Sequence, residues 1–173
     1  MNHPKSCPAL LMRQYVFVLW GAQCAEAPAA LFVSEMRAAG FLVKLVGLNG
    51  LHAKGIRGLV LTPDMTLGQA LPLAKMACCV ILPGPSSALR RMASDPRLPE
   101  FLLLTLEQQA PIIMADIEPT LLKEIGIHPA TNMERAILAY PPGPRLFAFI
   151  ESLTLHLARI RETDAAPLHC RSS

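Results

Sequence analysis

Short, almost uninterrupted apolar runs recur along this chain, and a turn signal and a helical pattern follow most of them. The runs are Tyr15-Val16-Phe17-Val18-Leu19-Trp20, Phe41 to Val46, Cys79-Val80-Ile81-Leu82 and Ile112-Ile113-Met114-Ala115. Runs of this length suit strands buried on both faces better than helices. Strands of that kind alternating with helices predict an α/β fold, a mostly parallel sheet sandwiched between helices. The chain has 173 residues, 52% of them hydrophobic and 17% charged. That is enough apolar material for one full core and too little charge for disorder.

The punctuation between the runs places the other elements. Helix one is predicted over about Ala27 to Ala39, with Pro28 in its first turn and Gly40 as its stop. Gly47 to Gly58 reads as loop or hairpin, and Leu59-Val60-Leu61 as a further short strand closed by Thr62-Pro63-Asp64. Leu67 to Met76 reads as helix. Ser86 or Ser87 is a candidate cap for the next helix, and Asp95-Pro96 opens another that reaches about Gln109. A helix beginning at Pro119 ends at Gly126, and Ala136 to Tyr140 is the last strand. Leu146, Phe149, Ile150, Leu153, Leu157 and Ile160 then form one stripe of a final helix opened by Pro144. The expected organisation is an N-terminal extension over 1–14, one domain over 15–162 and a flexible tail over 163–173.

Several function classes are disfavoured. The net charge is +3 and the basic residues are scattered. Arg90-Arg91 and Arg159-Ile160-Arg161 read as solvated helix faces, so no nucleic acid is expected as a partner. No apolar run approaches the roughly 18 residues of a membrane span, so no membrane partner is expected either. Met1 to Gln14 carries one lysine and a short Ala9-Leu10-Leu11-Met12 patch, too weak for a signal peptide, which favours the cytoplasm. The five cysteines are odd in number and lack a C-x-x-C, which argues against a disulfide framework or a zinc site. Cys78 and Cys79 read as small apolar fillers.

The stretches around these elements, taken in order, resemble the ThiJ/PfpI superfamily, which has the class I glutamine amidotransferase-like (flavodoxin-like) three-layer fold. The likeness rests on Gly21-Ala22-Gln23-Cys24-Ala25-Glu26, on Met36-Arg37-Ala38-Ala39-Gly40-Phe41-Leu42-Val43, and on Arg57-Gly58 with Val60-Leu61-Thr62-Pro63-Asp64. It also rests on Val80-Ile81-Leu82-Pro83-Gly84, Pro119-Thr120 and Glu124-Ile125-Gly126, and it covers about residues 15 to 160. The resemblance implies a cysteine at a strand-to-helix elbow, an acid after strand one that bonds to it, and N–H donors from a Pro-Gly-Gly loop. Carried onto this chain, the elbow residue is Asp116, the acid is Glu26, and the loop is Pro83-Gly84-Pro85. Ile117 and Glu118 follow the elbow, and Glu118 stands where the family carries a small residue.

The chemistry of those residue types argues against the family's reaction. A carboxylate is a poor nucleophile beside a thiolate. Two facing carboxylates would repel, and one would be expected to take up a proton at a raised pKa. Pro85 has no N–H where the family's second glycine offers one. The first reading is therefore a non-catalytic member of the superfamily acting as a binding or assembly module. It would need no cofactor or metal, would form a homodimer involving helix one, and would take a small-molecule or protein ligand at Gly84, Pro85, Ser86, Ile117 and Glu118. A second reading makes Glu26 and Asp116, with His128, proton-transfer groups of a lyase, isomerase or hydratase. His128-Pro129 resembles a pair near the family's cysteine. A third uses Cys24, at the start of helix one, as a relocated reactive thiol in a glyoxalase- or deglycase-like stress protein. Simpler roles compete at each position: Asp116 as a helix cap, Glu26 as a buried remnant, Cys24 as packing, Ser86 as a cap and His128 as surface.

Overall fold

The computed structural model describes residues 15–48, 50, 52–128 and 136–165. Among them, six strands form one sheet: β1 (Tyr15–Trp20), β2 (Leu42–Gly47), β3 (Met65–Thr66), β4 (Ala77–Leu82), β5 (Ile112–Met114) and β6 (Ile137–Ala139). Their order is β3-β2-β1-β4-β5-β6, and every pairing is parallel. The helices are α1 (Glu26–Ala38), α2 (Leu67–Ala70), α3 (Ser86–Met92), α4 (Arg97–Glu107), α5 (Pro119–Glu124) and α6 (Arg145–Ala165), with a 3-10 turn at Leu71–Met76. The expected α/β sandwich is present.

Burial explains the composition of the central strands. Val16 to Trp20 and Cys79 to Ile81 are fully buried, because helices cover both faces of the sheet. On one face, α1 packs Ala29, Phe32 and Met36 inward, and Phe32 meets Phe149 of α6 edge-on at 6.5 Å. On the other, Phe17 of β1 meets Phe101 of α4 at 5.3 Å, also edge-on. Helix α1 stops as its sequence requires: Gly40 takes φ +83, and the Phe41 N–H donates back to the Met36 carbonyl at 3.0 Å.

Some boundaries differ from the sequence reading. Leu59-Val60-Leu61 is not a strand of the sheet; Val60 makes only an isolated antiparallel bridge to Lys54. The edge strand is instead Met65–Thr66, two residues too short to show a pattern. Asp64 explains how so short an edge holds. Its carboxylate accepts the Leu45 N–H at 2.7 Å and an Arg37 guanidinium N–H at 2.8 Å, so β2's outer edge is partly satisfied by a side chain. Neither serine caps α3: Pro85 is the N-cap and makes no side-chain bond. Helix α6 runs to Ala165, so residues 163–165 are helical rather than tail. The expected N-terminal extension, and the tail from 166 on, lie outside the described residues.

The sheet order sets where a site can form. The chain winds outward from β1 to β2 and β3, then returns to place β4 on the other side of β1. In open parallel sheets, ligands gather beyond the carboxyl ends of the strands at such a reversal. Here those ends are Trp20, Leu82, Met114 and Ala139, followed by Gly21, Pro83, Ala115 and Tyr140.

Candidate functional site

The turn after β1 is stitched to both its neighbours. Gln23 adopts φ 65, a left-handed conformation uncommon for a residue with a side chain. Its N–H donates to the Lys54 carbonyl at 2.9 Å, and the Ile56 N–H donates to the Cys24 carbonyl at 2.9 Å. On the other side the Ala25 N–H donates to the Pro83 carbonyl at 3.0 Å. The turn is thus clamped between the 54–60 segment and the β4–α3 loop.

Glu26 is the first residue of α1 and is buried. Its Oε1 accepts the Arg57 N–H at 2.6 Å and the Leu59 N–H at 3.3 Å. Burial pushes its carboxyl up, but the N–H groups of Glu26 itself, Arg57 and Leu59, with the Arg57 guanidinium, outweigh it and hold the group below the usual carboxylate range. Asp116 is not among the groups that shift it. The expected mutual raising of two carboxylates is therefore reversed at Glu26. Gly55 lies so close that a Cβ there would overlap the Glu26 carboxyl. The acid is the anchor of the 54–60 segment.

Cys24 is fully buried, and its Sγ lies 4.0 Å from the Leu19 carbonyl oxygen. Burial pushes the thiol up to about 12, aided by the Glu26 charge, against a lowering bond from Gly21. A helix start lowers a thiol only where solvation allows the thiolate, and here it does not. The geometry lends the reactive-thiol reading no support.

The β5–α5 turn is built differently. Asp116 and Ile117 are exposed, and the positive-φ side-chain residues among those described are Gln23 and Gln109, not the elbow. Asp116 makes no side-chain hydrogen bond among the described residues, and the N-cap of α5 is Glu118, so the capping role is not met. Glu118 is a strut. Its Oε1 accepts the Ser86 hydroxyl at 3.0 Å, and its Oε2 pairs with Arg90 at 2.6 Å. Arg90 also reaches Glu124 at 3.1 Å. Arg90 is therefore a bridge from α3 to α5, not merely a solvated face. His128 is exposed.

One residue that the sequence reading takes only as the end of the last strand lies at this edge. Tyr140, just past β6, is buried, and its N–H donates to the Met114 carbonyl at 2.9 Å. Its ring meets Phe32 edge-on at 5.5 Å. Burial pushes its phenol up to about 12, a hydrogen bond from the Gly84 main chain pulls it back, and Cys24 and Asp116 raise it further. The charges that raise the phenol therefore come from the β1–α1 and β5–α5 turns. Tyr140 is one of two tyrosines and ends the last strand, on the edge where the other site turns gather.

Beside this cluster, a groove of about 400 Å³ runs between the first turns of α1 and the 54–60 segment, lined by Ala27, Pro28, Ala30, Ile56 and Leu59 among others. Ile56 and Leu59 are about half exposed, at 53% and 52%. Among the described residues, no three His, Cys, Asp or Glu side chains gather as a metal ion would need, and no helix is long and apolar enough to cross a membrane.

The fold is similar to that of solved structures. Drosophila melanogaster DJ-1beta is similar with a TM-score of 0.68 at 19% identity, over 89% of this chain and 96% of that one. The chain has the DJ-1/ThiJ/PfpI fold. Oxidized Toxoplasma gondii DJ-1 gives a TM-score of 0.67 at 16% identity, over 88% and 96%. A ThiJ/PfpI domain protein from Brachyspira murdochii gives 0.62 at 13%, over 86% and 98%. No protein-family model and no curated protein matches the sequence. The likeness is one of fold.

Proposed function

We propose that this chain is a non-catalytic protein of DJ-1/ThiJ/PfpI type that serves as a binding or assembly module. The observation that carries this reading is the state of Glu26. The acid that would serve an elbow nucleophile is bound to the Arg57 and Leu59 N–H groups, while the elbow offers an exposed Asp116 on unstrained backbone. A nucleophile elbow is normally a strained turn that thrusts its side chain forward. In the β4–α3 loop, Pro83 and Pro85 have no N–H, which leaves Gly84 as the one N–H donor of that Pro-Gly-Pro stretch. Losing one oxyanion donor costs on the order of a hundredfold in rate.

The groove supports the assembly part of the reading. The hollow is walled by small α1 residues on one side and by the half-exposed Ile56 and Leu59 on the other, so one surface carries both a recess and exposed apolar side chains at its wall. Such a surface suits a two-fold homodimer through α1. The test is purified protein incubated with methylglyoxal and, separately, sedimented at micromolar concentration. No turnover above buffer and a dimer that Ala30→Trp dissociates are expected. Turnover that falls with Asp116→Asn would refute the non-catalytic reading, and a wild-type monomer would refute the dimer.

A further inference from the structure

We propose that Arg37 and Asp64 close the outer edge of β2 in place of a strand, and that they keep a second copy of this chain from adding its own β2 there. The inference is independent of the non-catalytic reading. It concerns the β3 side of the sheet, where the Met36 to Val43 and Val60 to Asp64 stretches meet, and neither stretch has a part in the elbow.

The edge invites a partner. β2 runs from Leu42 to Gly47, yet β3 pairs only with Val46 and Gly47, so Leu42 to Leu45 have no neighbouring strand on that side. Phe41-Leu42-Val43-Lys44-Leu45-Val46 is a run of high strand propensity with a single charge and no proline. Such a segment on an open edge is a template for pairing with another chain.

Every main-chain group that Val43 and Leu45 turn outward is nonetheless taken. Successive residues of a strand turn their N–H and C=O to opposite neighbours, and Leu45 turns both of its own to Asp64. The Asp64 N–H donates to the Leu45 carbonyl at 2.8 Å, and the Leu45 N–H donates to the Asp64 carboxylate at 2.7 Å. One residue thus makes, with main chain and side chain, the bonds that a paired strand would make. Val43, two residues back, faces the same way. Its carbonyl accepts an Arg37 guanidinium N–H at 3.2 Å, and its N–H donates to the Phe41 carbonyl at 3.1 Å. The guanidinium also holds the Asp64 carboxylate at 2.8 Å, so the two substitutes brace each other. Gly47 lets the chain at 63–64 lie this close: a Cβ there would stand 2.9 Å from the Pro63 Cγ. Pro63 itself offers no N–H to an incoming strand. The Arg37 and Asp64 side chains are 48% and 34% exposed, so the Coulomb energy of the pair is small. What the pair supplies is occupancy of the groups that a second strand would use.

Sedimentation of the Ala30→Trp protein, in which the α1 contact is blocked, tests the edge without help from the proposed dimer. Adding Arg37→Ala and Asp64→Ala together should make self-association at least about tenfold tighter than in Ala30→Trp alone, since the main-chain groups set free find partners in a second copy. The Leu45 amide reads the contact: its deuterium exchange should quicken about tenfold in the dilute variant and slow again on concentration. Asp64→Asn keeps an oxygen for the Leu45 N–H, so both readings should stay within about twofold of the parent.

A cooperatively folded double variant that self-associates no more than its parent overturns the proposal. So does an associated form whose Leu45 amide exchanges as fast as in the dilute protein, because the contact would then lie elsewhere. Should the double variant not fold, Arg37→Ala alone decides: it frees the Val43 carbonyl, and association about threefold tighter is expected, whereas no change overturns the proposal. A wild-type monomer would refute the proposed dimer and leave this comparison intact, because it is made between variants that share the Ala30→Trp change.

Discussion

Two strand-to-helix turns at the same edge of one sheet have opposite characters. The β1–α1 turn is buried and cross-linked: Gln23 holds a left-handed conformation, Cys24 is inaccessible, and Glu26 anchors the 54–60 segment through two N–H groups. The β5–α5 turn is exposed and relaxed, with Asp116 and Ile117 facing outward and Glu118 tied to α3. The strain and the desolvated groups sit in the turn that the fold uses for support. The turn where a nucleophile elbow would lie carries neither. Backbone strain persists only where surrounding contacts over-determine it, and of these two turns the first is the one that holds a positive-φ side-chain residue.

The sharpest way to break this contrast is to remove the two carboxylates in turn. Glu26→Ala leaves the Arg57 and Leu59 N–H groups without their acceptor inside a partly buried turn. Unsatisfied donors that had served a charged group cost about 1–3 kcal/mol each, so a loss of about 3 kcal/mol in urea unfolding is expected. Asp116→Ala, at an exposed position with no hydrogen bond among the described residues, should fall within about 0.5 kcal/mol of wild type. Equal effects would mean that the two turns share one role.

A second test uses alkali. The Cys24 thiol titrates near 8.5 in an unfolded chain and is pushed up to about 12 in the fold. A raised folded value means that stability is fully present below the unfolded pKa and is lost as pH rises toward the folded one. Between pH 8.5 and 10 the Cys24 share of the loss should be about 2 kcal/mol, and Cys24→Ala should remove that share while the share of Cys79, whose thiol burial also pushes up, remains. The Tyr140 phenol, also raised to about 12, adds its own loss above its ordinary value of 10.0. On the acid side the sign is opposite. Glu26 is held low, so its contribution is present above the ordinary glutamate range and is lost as pH falls through its folded value. An alkaline limb unchanged by Cys24→Ala would mean that Cys24 is solvated.

The sequence made the central strands legible because burial on both faces leaves an unmistakable apolar run, and Tyr15–Trp20 matches to the residue. It was weaker at the edge. Met65–Thr66 is too short to carry a pattern, and the apolar Leu59-Val60-Leu61 belongs to a surface segment beside the groove rather than to the sheet. At the site, the positions of Glu26 and Asp116 on their turns could be read, but not what each side chain faces. Glu26 turns to N–H groups about thirty residues away, Ser86 to Glu118 at a separation of 32, and the Tyr140 ring to Phe32. Such pairings are set by which strand ends the sheet brings together, and local spacing holds no record of them. Tyr140 carries no sequence signal of its own, because an aromatic ending a strand looks like core until the sheet order is known.

The smallest expected effect concerns the one tie that the relaxed turn does possess. Arg90 pairs with Glu118 at 2.6 Å and with Glu124 at 3.1 Å, and all three side chains are between 42% and 47% exposed. Exposed pairs of this kind give up most of their Coulomb energy to solvent and to side-chain entropy, so a double-mutant cycle of Arg90→Ala and Glu118→Ala should return a coupling of about 0.5 kcal/mol. Raising the salt should shrink it further, because water reaches both partners. Ser86→Ala should add little, since its hydroxyl can be replaced at Glu118 by solvent. A coupling above about 2 kcal/mol would show that the β5–α5 turn is held as firmly as the β1–α1 turn, and that its exposure conceals a rigid frame rather than an open edge.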